Sequence, residues 1–136
     1  MSISPRNLWP EDIAVTGAVA PVSILKEQAS LLGERTKNLV EGKVSPGHGI
    51  GVDLLLQNRF SYDFDLVAPA LNNYRYRLFS ISHFVEFYPL TIASAPLNSN
   101  EFQVNYEEEF LKALERIFSS EKTKRIISSL IAQSRA

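Results

Sequence analysis

His83 and Glu86, three positions apart in SHFVEFYP, are residue types that general acid–base catalysis uses: an imidazole titrating near neutrality and a carboxylate able to orient it. On a strand, a spacing of three sends two side chains to opposite faces, so the pair can cooperate only if the chain turns between them. No recognisable nucleophile stands beside them. They are the candidate catalytic residues of an enzyme reading, with Tyr88 as a neighbouring hydroxyl.

The glycine-rich PGHGIG could present backbone N–H groups to an anion. It lacks the lysine and spacing of a P-loop, and Val52 stands where a third dinucleotide-binding glycine would fall. It reads as a loop or hairpin tip, with His48 an exposed residue. Two histidines and scattered carboxylates show no metal-ligand spacing, so neither a metal nor a cofactor is expected.

Asp63 and Asp65 share one face of a predicted strand, as paired catalytic carboxylates would, but Arg75 and Arg77 in YRYR can neutralise them across a hairpin. In the register that sets residue i opposite 140 minus i, Phe64 faces Tyr76 and Tyr62 faces Leu78, while Asp65 faces Arg75 and Asp63 faces Arg77. A slip of one residue would set apolar groups against charges along the whole hairpin. The same alternation separates Tyr74 and Tyr76 from Arg75 and Arg77, which weakens YRYR as a base-stacking platform. Lys122, Lys124 and Arg125 read as a solvated helix face.

The elements that must position these residues follow from periodicity. Residues 1–20 carry prolines and no sustained period, and form an extended arm bearing Leu8 and Trp9. Residues 21–136 form one domain. A helix is predicted near 21–41, opened by Pro21, with a stripe through Leu25, Ala29, Leu32, Thr36 and Leu39. Period-two patterns predict strands near 50–67, 73–81, 84–94 and 101–106. An amphipathic helix or helix pair covers 107–133, with Ser119 and Ser120 offering an N-cap between its halves. The fold class is α+β: one antiparallel sheet of about four strands with helices before and after it.

Parity raises one further question. Phe79, Ile81, Val85 and Phe87 follow Arg75 and Arg77 rather than the tyrosines, so both faces of the second half of this sheet read as apolar. Helices can cover both, or one face is an interface.

The 136 residues carry 45% hydrophobic and 21% charged side chains, which excludes wholesale disorder. A net charge of -1 offers no global field for collecting nucleic acid. With no cysteine, disulfides and thiolate-ligated metal are excluded, which fits a reducing cytoplasm. No signal-peptide pattern opens the chain and no apolar run approaches membrane-spanning length, so a soluble protein with no membrane association is expected.

These residues point first to a non-catalytic binding or protein-interaction module acting as a homodimer or with another protein. Its expected surface is Trp9, Phe79, Ile81, Val85, Phe87 and Tyr88. The alternative is an enzyme or small-ligand protein with an aromatic-lined pocket using His83. Weak nucleic-acid binding ranks third.

Overall fold

In the computed structural model, which describes residues 6–47, 58–94 and 101–136, Pro21 opens the first helix, α1 (Pro21–Arg35), where its missing N–H would have no helical partner anyway. The helix is shorter than its apolar stripe predicts. Lys37 and Asn38 take positive φ of 53° and 63°, and Asn38 N–H donates to Gly33 O at 2.8 Å, closing the helix in a left-handed turn. Thr36 Oγ1 then accepts from Val40 N at 3.1 Å, so the periodic residues beyond 35 belong to a turn.

That turn feeds a strand absent from the sequence-based expectation, β1 (Glu41–Pro46). Only Val44 and the small Gly42 mark its inner face, too weak an alternation to register. Gly42 is where α1 touches the sheet: a Cβ there would stand 2.7 Å from Ala29 Cα. The remaining strands are β2 (Phe60–Ala68), β3 (Tyr74–His83), β4 (Leu90–Ser94) and β5 (Phe102–Val104). Together they make an antiparallel sheet of five strands in the order β1-β2-β3-β4-β5. The early part of the strand expected near 50–67, the PGHGIG loop from His48 onward and the whole APLNSN turn lie outside the described residues.

Residues 84–89, expected to open a strand, form a loop before Leu90, and Pro89 stands just ahead of the first paired residue. Between β2 and β3, Pro69–Leu71 make one 3-10 turn, and Asn72 and Asn73 follow with φ of 58° and 57°. Asparagine tolerates that left-handed region better than most residues, which is why APALNN reverses the chain.

The β2–β3 pairing departs from the expected register. Near the turn Asp65 stands opposite Arg77 and Leu66 opposite Tyr76, a shift of two residues that keeps every side chain on its expected face. Between Phe64/Phe79 and Asp65/Arg77 the register shifts, leaving Leu78 as an extra residue in β3. Leu78 and Phe79 are both buried at 1%, so adjacent residues face the core and the alternation reverses beyond them. This answers the parity question. Phe79 and Ile81 pair with Phe64 and Tyr62 on the core face, while Ser80 and Ser82 join the aspartates outside.

Two C-terminal helices complete the chain, α2 (Glu107–Ser119) and α3 (Glu121–Ser134). Ser120 caps α3 by accepting from Thr123 N at 3.2 Å, and the buried Thr123 hydroxyl donates to Ile117 O at 2.7 Å, pinning the second helix to the first. Phe118 reaches Phe64 and Phe79, with ring centroids 5.6 and 6.0 Å away. All three helices lie on the sheet face that carries Phe64, Leu66, Phe79, Ile81 and Ile92. Each fully buried ring or branched side chain there contributes about 1.5–3 kcal/mol.

Candidate functional site

His83 ends β3 on the core side, opposite Phe60. Its ring is 4% exposed and lies between aromatic groups: Phe60 at 5.7 Å, Tyr62 at 6.2 Å and the edge-on Phe87 at 5.8 Å. Nδ1 sits 2.7 Å from Phe84 O. A carbonyl can only accept, so Nδ1 carries a proton and donates it to Phe84 O. Nε2 is buried and has no hydrogen-bond partner among the described residues. The chain does bend after His83, as cooperation with Glu86 requires, but Glu86 is exposed and no hydrogen bond or ion pair joins the two among the described residues.

Tyr88 is half-buried, with its ring edge toward Phe110 at 6.5 Å. Its hydroxyl is buried without a partner among the described residues, and burial, aided by the charge of Glu107, pushes its pKa up to about 12. At neutral pH it is a poor source or acceptor of protons.

The carboxylate pair is consumed by structure. Asp65 is fully buried, with Arg77 Nε donating to Oδ1 at 3.0 Å and Arg75 Nη1 3.6 Å from Oδ2. Asp63 accepts from the Ser80 hydroxyl at 2.6 Å and pairs with Arg77 Nη2 at 3.2 Å. The Arg77 pKa is raised, chiefly by its hydrogen bond to Asp65 and further by attraction to both aspartates. Arg77 therefore bridges the two acids, where the expected pairing had assigned one arginine to each. Both carboxylates are held by Arg77, while Asp65 Oδ2 has no hydrogen-bond partner among the described residues. Among the described residues, no three histidine, aspartate or glutamate side chains come together as a metal site.

The proposed partner surface divides. Phe79 and Ile81 are core residues, 1% and 0% exposed, because the Leu78 bulge turns them inward. Val85 is exposed and Phe87 and Tyr88 are half-buried in the 84–89 loop. Trp9 is 73% exposed and Leu8 84%, and Ile13, Val15 and Val19 are exposed as well. The arm has local order only: Trp9 N donates to Asn7 Oδ1 at 3.0 Å, and turns close at Ile13 and Val15. The tryptophan is not docked on its own domain.

A groove of about 620 Å³ opens between α1 and the α2–α3 pair. Its floor is Phe64, Leu66 and Leu78, its walls include Leu31, Phe118 and Ile127, and Glu34 and Arg35 stand at its rim. Sequence reasoning missed it. The one signal was Leu31 beside Leu32, an apolar residue more than the helix stripe needs, and Leu31 is 46% exposed.

No helix among the described residues is long and apolar enough to cross a membrane. No family model matches the chain, and neither does any curated protein or solved structure.

Proposed function

We propose that the chain is a non-catalytic protein-interaction module of the cytoplasm that works as a homodimer, each copy laying its N-terminal arm into the α1/α2–α3 groove of the other. The observation that carries this reading is the arm itself: Leu8, Trp9, Ile13, Val15 and Val19 all face solvent beside a domain with an open apolar groove. Exposed apolar side chains clustered in one segment mark an interaction site, and tryptophan is among the residues enriched at the energetic centres of such contacts. Reciprocal exchange makes the contact twofold and closed. Among the described residues His83 bonds to a backbone carbonyl and to no carboxylate or hydroxyl, so it lends the enzyme reading no partner.

Trp9 is the single tryptophan, so its emission reports directly on the arm. Light scattering is expected to give twice the chain mass at micromolar concentration, with Trp9 emission shifting to the blue as the dimer forms. Leu8→Ala with Trp9→Ala is expected to return a folded monomer. A monomer at every concentration with solvent-like Trp9 emission would overturn the reading, and so would a monomer with blue-shifted emission, which places the arm in its own groove.

A further inference from the structure

We propose that a second cleft, between the start of β3 and the outer side of α3, binds a small phosphorylated aromatic ligand of the nucleotide class. The cleft is open to solvent and has a volume of about 690 Å³, within the range of small-molecule sites of about 300–1,000 Å³. Tyr74 and Tyr76 supply one wall, and Lys122, Arg125, Ser129 and Gln133 supply the other. Tyr74 is 50% exposed and Tyr76 half-buried, so ring surface is open for stacking.

The alternation that sends Arg75 and Arg77 away from the tyrosines does not leave the tyrosine side uncharged, because α3 brings Lys122 and Arg125 to it. These cations sit three positions apart on one helix face, where like charges repel. Among the described residues neither has a carboxylate within ion-pair distance, and no acidic side chain lines the cleft. Glu121, the nearest acid in sequence, lies 4.0 Å from Lys124 instead. An anion between Lys122 and Arg125 would relieve the repulsion, and the guanidinium suits a phosphate. Gln133 Nε2 donates to Ser129 Oγ at 3.0 Å, which orients the pair and leaves the Gln133 carbonyl and the Ser129 proton for a base edge. A net charge of -1 and a cleft of this size favour a mononucleotide over a polymer. The inference does not depend on the arm.

AMP titrated into the full chain, followed by amide chemical shifts, is expected to give saturable changes around Tyr74 and Arg125. Adenosine and inorganic phosphate should each bind at least about tenfold more weakly, each lacking one half of the recognition. Arg125→Glu, on an exposed helix position, and Tyr74→Leu should each weaken AMP by about tenfold while the shifts elsewhere keep the folded pattern. Raising salt from about 20 to about 300 mM should weaken it further. Absence of saturation by AMP, equal binding of adenosine and AMP, indifference to Arg125→Glu, or a thymidine oligonucleotide binding more tightly than AMP would each overturn the assignment.

Discussion

Phe64 and Phe79 stack across β2 and β3 with ring centroids 5.1 Å apart and planes 10° apart, and they do so because Leu78 is inserted between Phe79 and Arg77. In a strand that alternated regularly through Leu78, Phe79 and Ile81 would follow Arg77 to the outer face and the core would lose two of its fully buried side chains. A single bulge therefore decides which half of β3 is core. Leu78→Ala is expected to cost about 2–4 kcal/mol, as a buried leucine truncated in a packed site. Deletion of Leu78 should cost no more than about the same amount and leave cooperative unfolding in urea intact, because Phe79 then follows Arg77 in regular alternation and the later β3 side chains keep their faces.

The two arginines of YRYR contribute unequally. Arg77 holds both buried aspartates, whereas Arg75 stands 3.6 Å from one and donates no hydrogen bond to it; both arginine side chains are about half-exposed. Arg77→Ala should destabilise by about 1–3 kcal/mol by leaving carboxylates buried with fewer donors. Arg75→Ala should fall within about 1 kcal/mol, as for an exposed ion pair. Denaturant midpoints of the two variants distinguish the roles.

Tyr88 offers a pH test. Its native pKa of about 12 lies above the unfolded value of about 10, so the folded state keeps a proton that the unfolded state loses. Its contribution is whole below about pH 10 and is lost as pH rises toward 12. Ultraviolet titration should show one of five tyrosines ionising late, and Tyr88→Phe should remove that step. The variant should also be as stable as the parent or up to about 1 kcal/mol more so, since the buried hydroxyl has no partner among the described residues.

Gly42 sets the distance between α1 and the sheet. Gly42→Ala places a methyl 2.7 Å from Ala29 Cα and 3.0 Å from Phe64 Cζ, and backbone on one side cannot yield cheaply. A loss of about 1–3 kcal/mol is expected by thermal unfolding. Gly17→Ala, with nothing within 4 Å of the new Cβ, should stay within about 0.5 kcal/mol.

Periodicity and turn chemistry, which are local, were enough to predict the class of the fold, the positions of β2, β3 and the C-terminal helices, the Ser120 cap and the set of charges that neutralises Asp63 and Asp65. They failed where the outcome depends on packing across the sheet. β1 is a strand because Gly42 lets α1 approach, and α1 stops at Arg35 because Asn38 and Thr36 close it, although the apolar stripe runs on. Bulged and regular strands have the same alternation until a partner strand fixes which residue is extra, so a single parity count through Leu78 wrongly placed Phe79 and Ile81 on a second face. The cleft residues show the same limit. Tyr74 and Arg125 are neighbours only after α3 folds back across the sheet, a distance along the chain over which no periodicity carries information.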